Sequence, residues 1–395
     1  MKAKRVVYVQ YTNPAAYPPL IHSSRILASR GWQVLCLGTG SQGSGALRFG
    51  DNPAIKFAQL PFAPPGWRQK LHYLYFHLWC FARVIAFRPS WVYCSDLFAC
   101  SVGRLMSLAG MGVVYHEHDS PAPEARGFER RLLRARAALA RRAVCVIPNV
   151  RRGEVLRDAS KASNAPFLVW NCPSLAEVAP AREAQASGPM RLLYHGSIVP
   201  ERLPLTVIDA IAAVPGPVVL TVVGYETNGS KGYLNRLRAR AAELGISERL
   251  NIIGTVATRD ELMSICREQD AGLALMPIEA GDLNLRTMEG ASNKPFDYLA
   301  CGLALVVSRI PEWEAMFVEP GYAYSCDPAS AADLTQVLTS FMQDPARTRA
   351  MGEAGRQRIL SEWNYEHQFQ PVLEVLEGRM PESTVATAHA MEARS

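Results

Sequence analysis

The strongest constraint on this chain is an alternation that runs once and then starts again. Short apolar runs, each followed by a longer segment of helical character, read as strands buried on both faces. That is the state of a parallel sheet covered by helices. The first set of strands falls at residues 6–9, 33–37, 90–95, 112–115, 143–147 and 167–170, with helices at 20–29 and 96–109. A stretch rich in Ala, Pro, Glu and Ser follows at 176–189. Strands then resume at 191–196, 218–224, 250–256, 271–276 and 303–307, with helices at 205–214, 232–244 and 259–269. At 395 residues the chain is too long for one ordinary core. The expected fold is α/β, with two Rossmann-like doubly wound parallel sheets in domains at 1–175 and 191–362 and a linker at 176–190. Closing helices are expected at 331–342 and 345–362, a helix at 363–376 crossing back to the first domain, and a polar, disordered tail at 377–395.

One stretch of the second set carries chemistry: Glu289-Gly290-Ala291-Ser292-Asn293-Lys294-Pro295-Phe296-Asp297-Tyr298-Leu299-Ala300-Cys301-Gly302. It reads as a loop feeding a short helix. Asn293, with Ser292 before it, is placed to cap the helix with its side-chain oxygen. Pro295 fits the first turn, where a missing N–H costs nothing. Gly302 supplies the left-handed stop. The N–H groups of Ala291, Ser292 and Asn293 are then expected at the positive end of the helix. With the charge on Lys294 they make a phosphate site. Glu289 and Asp297 bracket it, with seven residues between them.

The net charge of +6 conceals an asymmetry. Residues 1–175 hold 23 Lys and Arg against 8 Asp and Glu, a net +15, and the rest hold 19 against 28, a net −9. A basic half suits nucleic acid, an anionic membrane or a phosphorylated substrate. No nucleic-acid module signature accompanies the charge, so nucleic acid is not an expected partner. Two segments point toward an anionic membrane surface. One is the aromatic-rich helix at 67–88, with Arg68, Lys70, Arg83 and Arg88 at its ends. The other is the helix at 126–142, where Arg126, Arg130, Arg131, Arg134, Arg136, Arg141 and Arg142 accompany Leu132, Leu133 and Leu139. The plainer readings are a core helix and a solvated charged face. No apolar run reaches about 18 residues, so no membrane-spanning helix is expected. The N-terminal apolar run is too short for a signal peptide. The expected location is the cytoplasm, with peripheral contact to the inner face of the cell membrane. The nine cysteines are scattered without C-x₂-C spacing, which favours reduced core thiols over zinc or disulfides.

Parallel α/β sheets hold ligands at the C-terminal ends of their strands. In the first half these ends are the 10–19 loop, with Asn13 and Tyr17, and the run His116-Glu117-His118-Asp119. His116 and His118 resemble a metal pair. Their side chains are expected to diverge on leaving the strand, and no third ligand is evident, so no metal is expected. A single histidine acting on a substrate is favoured. The glycine-rich run at 38–45 resembles a phosphate loop but lacks the helix that must follow, and reads as a surface loop.

Taken in order, these motifs resemble the family-4 retaining glycosyltransferases of GT-B architecture, the group 1 family, over about residues 5–376. Tyr194-His195-Gly196, the glycine turns at Gly224 and Gly254, Asp270, Pro277 and the 293–302 run stand in that family's order. The resemblance implies a nucleoside-diphosphate sugar bound by Gly196, Arg202, Gly224, Thr255, Val256, Pro277, Gly290, Ala291, Ser292, Asn293 and Asp297. It implies catalytic roles for Glu289 on sugar hydroxyls, Lys294 on the diphosphate and His118 on the reacting sugar. Asn13, Tyr17 and His116 fall on the acceptor side. No cofactor or metal is implied. Glu289 matches the first carboxylate of the family's Glu-x₇-Glu pair, and Asp297 replaces the second, which holds the ribose. Ser197 and Arg202 stand where the family has an arginine and a lysine on the diphosphate, and Lys294 is placed to compensate. The implied reaction is retaining sugar transfer to a hydroxyl of a saccharide or lipid-linked acceptor. The +15 charge of the first half favours an anionic acceptor at a membrane, such as a polyprenyl-diphosphate-linked sugar or lipopolysaccharide core, and a step in bacterial surface-polysaccharide assembly is expected. A GT-B sugar-nucleotide epimerase and a non-catalytic sugar-nucleotide-binding subunit are the alternatives.

Overall fold

The computed structural model describes residues 4–122, 126–182 and 188–379. Two compact units emerge. The first gathers the chain up to Gly40, Asp51–Trp170 and the segment from Tyr365 onward; the second gathers Ser41–Gly50 and Asn171–Asn364.

The first unit holds a seven-stranded sheet in the order β3-β2-β1-β4-β5-β6-β7, every pairing parallel. Its strands are β1 (Arg5–Val9), β2 (Gln33–Thr39), β3 (Ile55–Leu60), β4 (Trp91–Ser95), β5 (Gly112–His116), β6 (Val144–Ile147) and β7 (Phe167–Leu168). Its helices are α1 (Pro18–Ser29), α2 (Trp67–Phe87), α3 (Cys100–Leu108), α4 (Phe128–Ala140) and α5 (Val150–Ser160). The second unit repeats the plan with six parallel strands in the order β10-β9-β8-β11-β12-β13. These are β8 (Met190–Ile198), β9 (Val218–Glu226), β10 (Leu250–Gly254), β11 (Ala271–Ala274), β12 (Ala304–Ser308) and β13 (Ala323–Cys326). Around them lie α6 (Thr206–Ala213), α7 (Tyr233–Glu243), α8 (Arg259–Arg267), α9 (Leu283–Arg286), α10 (Asn293–Ala300), α11 (Pro311–Trp313), α12 (Ala331–Gln343) and α13 (Pro345–Ser361). The last helix, α14 (Tyr365–Leu376), belongs to the first unit, where Trp91 Nε1 donates to Leu376 O at 3.1 Å.

Each core forms where strand and helix side chains meet. In the first unit Val7, Val92 and Tyr115 pack with Phe76, Val84 and Leu139; in the second, Leu192, Val222 and Leu273 pack with Ile208, Leu237 and Phe341. β12 is buried at every position: its first four residues are apolar, and Ser308 Oγ donates to Met276 O at 2.6 Å. In each sheet the strand order reverses once, between β1 and β4 and between β8 and β11. Ligands of such sheets bind at that reversal, outside the carboxyl ends of the strands.

Five elements lie outside the sequence expectation: β3, α5, β13 and the short helices α9 and α11. β3 carries Lys56 and Gln59 on an edge, so its apolar signal is weak. The glycine-rich loop read as a surface feature of the first half has its residues 41–50 in the second unit, where Arg48 N donates to Ala257 O at 2.7 Å. The expected disordered tail lies from residue 380 outside the described residues, as do 183–187 of the linker. All nine cysteines are free and buried.

Candidate functional site

In the second unit, β8 and β9 end in register at two glycines, Gly196 opposite Gly224. Gly196 has φ +107° and Gly224 φ +145°, conformations that favour glycine. Thr255 Oγ1, following the Gly254 turn, donates to Gly224 O at 3.3 Å. The arginine expected in the family is Ser197 here, and its hydroxyl accepts from Arg202 Nη1 at 3.2 Å. Ser197 therefore aims the one remaining cation of that turn.

The stretch 289–302 folds as loop and helix, with a different cap. Ser292 is the N-cap residue but makes no side-chain cap bond, and Asn293 is already the first helical residue. Asn293 Oδ1 is buried without a hydrogen-bond partner. The Ala291 and Ser292 N–H groups donate to Met288 O at 3.0 and 3.2 Å, so the outward amides begin at Asn293. Gly290 turns the chain at φ +70°, and Asn171 secures the turn from behind, its N donating to Gly290 O at 2.7 Å and its Nδ2 to Ala291 O at 2.6 Å. Glu289 is half-buried beside that turn. Pro277 and Val256 are half-buried at their strand ends.

Lys294 is 7 % exposed. Its Nζ lies 5.4 Å from the Tyr194 ring centroid, and the absent side chain of Gly196 leaves it room: a Cβ there would stand 3.4 Å from Nζ. Burial, with Arg202 nearby, pulls its pKa down to about 7, while Asp297 opposes the shift. An amine at the start of a helix, with Arg202 close enough to lower its pKa, has the chemistry suited to an anion.

Asp297 is 1 % exposed. Arg259 holds both of its oxygens, Nη2 to Oδ1 at 2.8 Å and Nη1 to Oδ2 at 3.3 Å. Glu177 grips the other side of the guanidinium, at 2.6 Å from Nε and 2.9 Å from Nη2. His195 Nε2 stands 3.5 Å from Asp297 Oδ2, and burial, then Lys294 and Arg259, keep that imidazole neutral. Neither Arg259 nor Glu177 has a local sequence signal: one opens α8 behind the Thr258 cap, the other lies in the linker composition. Asp270, in the family order, braces β8 from below, accepting from Arg191 N at 2.9 Å.

In the first unit the strand ends are built as a buried cluster. His118 is 6 % exposed, with Nε2 2.9 Å from Ser95 Oγ and Nδ1 buried without a partner. Its ring lies against that of His116, centroids 4.0 Å apart and planes tilted by 38°. The expected divergence fails because residues two apart on an extended chain share a face. His116 is fully enclosed behind it, its Nδ1 2.7 Å from Tyr93 OH. Burial pushes His118 down to about 4, so it is a neutral hydrogen-bonding group at physiological pH. Tyr17 lies over it at 4.9 Å, half-exposed, whereas Asn13 is buried and caps the short turn after β1 through Ala15 N at 3.1 Å. Among the described residues no cluster of three or more His, Cys, Asp or Glu is arranged for a metal.

Sequence reasoning missed Asp96, at the reversal between β1 and β4. Its φ of +62° with ψ 176° is a strained, glycine-type conformation. Its carboxylate accepts from His118 N at 3.0 Å and Gln10 Nε2 at 3.3 Å, and burial raises its pKa to about 6. The only local hint was its position after a buried strand.

α2 has two apolar faces. Tyr73, Phe76, Cys80 and Val84 point inward. On the opposite side Trp67, Leu71, Leu74, Leu78 and Ile85 are 58–67 % exposed, and Tyr75 beside them is 56 % exposed. At 100° per residue the two groups lie on opposite sides of the helix. Arg68, Lys70 and Arg83 flank the exposed stripe, and no acidic residue occurs from 52 to 95. Tyr73 meets Phe128 at the start of α4, at 5.4 Å. There Arg130, Arg131 and Arg134 are exposed, whereas Arg136, expected on the same charged face, is buried and donates from Nη2 to Glu117 Oε1 at 2.7 Å. Among the described residues no helix is long and apolar enough to cross a membrane.

Two parallel-sheet units, with glycine turns at the strand ends of the second, define a protein of GT-B fold. A model described as "Glycosyl transferase 4-like domain" matches residues 22–153, and one described as "Glycosyl transferase-like" matches residues 220–374. The chain belongs to the group 1 glycosyltransferases. Among curated proteins it is similar to a glycogen synthase of Mycobacterium tuberculosis, 25 % identical over 268 residues, which cover 59 % of this chain and 60 % of that protein. Thus the match spans about three fifths of that relative's length. Among solved structures it resembles Anabaena HepE in complex with UDP and glucose, with TM-score 0.67, 16 % identity and coverage of 95 % and 100 % of the two chains. A sucrose-phosphate synthase from Thermosynechococcus elongatus gives TM-score 0.67, 16 % identity and coverage of 95 % and 98 %. WaaG, a glycosyltransferase involved in lipopolysaccharide biosynthesis, gives 0.63, 14 %, and 94 % and 100 %.

Proposed function

We propose that this protein transfers a sugar from a nucleoside diphosphate to an acceptor hydroxyl, with retention at the anomeric carbon. The observation that carries the proposal is Lys294, 7 % exposed at the N-terminus of α10, facing Gly196 and Arg202. Such an amine is matched to a diphosphate. HepE, of like fold, is described with UDP and with UDP-glucose, which favours the same donor class here.

The bond from the sugar C1 to the diphosphate oxygen breaks, and a bond from C1 to the acceptor oxygen forms on the same face. The acceptor proton passes to the leaving diphosphate, so no base from the protein is consumed. The demanding step is charge growing on that diphosphate while the sugar gains oxocarbenium character. Lys294, Arg202 and the first amides of α10 stabilise that charge from fixed positions. Glu289 holds sugar hydroxyls. His118, kept neutral, donates or accepts a hydrogen bond with sugar or acceptor.

The acceptor is a saccharide or a polyprenyl-diphosphate-linked sugar in surface-polysaccharide assembly, reached at an anionic membrane. The exposed stripe of α2, flanked by cations and free of acidic residues, supports that setting. The test is a thermal-shift panel of UDP-, GDP-, ADP- and dTDP-sugars. One nucleotide class is expected to raise the melting temperature, since ligand at about 100 times Kd stabilises by about 2.7 kcal/mol. No shift with any of them sinks the proposal.

A further inference from the structure

We infer that Arg259 withdraws Asp297 from ligand recognition, so that the ribose hydroxyls of the nucleotide are not read by the second carboxylate of the acidic pair. The inference rests on the reading of the Gly196 turn of β8 and the start of α10 as a nucleoside-diphosphate site.

Three observations carry it. Asp297 is 1 % exposed, with both oxygens engaged by Arg259 at 2.8 and 3.3 Å. Arg259 cannot follow Asp297 outward, because Glu177 holds it at 2.6 and 2.9 Å, and Glu177 is itself 4 % exposed within a capping box with Ser174. Moving Asp297 toward a ligand would strip a buried guanidinium of half its partners, which is strongly unfavourable. Lastly, an aspartate reaches one methylene less far than a glutamate from the same helix. Lys294, one turn earlier on the same face of α10, is the group left facing the anion. The helix therefore sets a cation beside the Gly196 turn and keeps its carboxylate bonded to Arg259.

A hydroxyl bonded to a charged acceptor is worth about tenfold or more in affinity. Isothermal titration of the full chain measures this. The nucleotide used is whichever of UDP, ADP and GDP binds best, compared with its 2′-deoxy analogue. Wild type and Asp297→Asn are both expected to bind the two within about threefold of each other. In Arg259→Met, Asp297 is released, and a preference of about tenfold for the ribonucleotide is expected to appear. A wild-type preference of that size that disappears in Asp297→Asn overturns the inference. So does an unchanged ratio in Arg259→Met that still melts cooperatively. If that variant does not fold, the comparison of wild type with Asp297→Asn decides alone. Absence of binding by all three nucleotides defeats instead the reading of the turn as a nucleotide site.

Discussion

A Cβ placed on Gly224 would stand 1.8 Å from the carbonyl oxygen of Gly196. The two residues face each other across β8 and β9, at the point where both strands open into the site. The backbone approach that forms this floor leaves no room for a side chain. Gly224→Ala is therefore expected to cost about 3 kcal/mol or more, from collision and from its φ of +145°. Urea denaturation checks this, and a loss below about 1 kcal/mol would mean that the turn relaxes freely.

Lys294 sets a pH dependence whose sign is fixed by its depressed pKa of about 7. Between about pH 7 and 10 the unfolded chain carries the proton and the folded chain does not, so this group makes stability rise with pH across that window. Below about pH 7 the folded chain holds the charge at full cost. Binding of a nucleotide sugar runs the other way, because the anion favours the charged amine. Its diphosphate does not titrate in this range, so affinity is expected to fall from pH 7 to 9 with proton uptake on binding. Titrations in buffers of different ionisation enthalpy measure that uptake. Lys294→Met is expected to abolish it and to weaken binding by about tenfold to a hundredfold.

Glu289 lies half-buried on a turn fixed by Gly290 and Asn171. Glu289→Ala is expected to lower transfer activity by about a hundredfold while shifting the melting temperature by only about 2 °C. Full activity in this variant would place catalysis elsewhere and favour a non-catalytic binding role.

On α2, Leu74 and Leu78 are 61 % and 63 % exposed. Replacing both with Glu removes about 1.5–3 kcal/mol of burial per side chain from any lipid contact and adds repulsion from anionic headgroups. Sedimentation with vesicles containing phosphatidylglycerol at low salt is expected to show binding by the wild type and none by the double variant, at unchanged stability. Equal sedimentation of the two would remove α2 from membrane contact, and no binding by the wild type would remove the membrane itself.

Strand-helix alternation and the helix at 293–300 were legible because their signals are local. Apolar runs, a proline in a first turn and a terminal glycine act over a few residues. β3 was missed because an edge strand needs apolar contact on only part of its surface. The partner of Asp297 was missed for a different reason: residues 177, 259 and 297 meet only when linker, α8 and α10 are packed together. The same holds for Arg136, indistinguishable in sequence from the arginines around it until Glu117 is seen beside it.

The sequence by itself determined the two-sheet class, the glycine turns and the presence of a cation at the start of α10, because backbone preference and hydrophobic period act residue by residue. Tertiary structure alone decided which neighbours each charge meets. Lys294 and Asp297 lie three positions apart on one helix and both are buried, yet one lies beside Gly196 and the Tyr194 ring and the other is held by Arg259. A buried carboxylate needs a cation or hydrogen-bond donors to offset its desolvation, and which groups reach it is settled only by long-range packing.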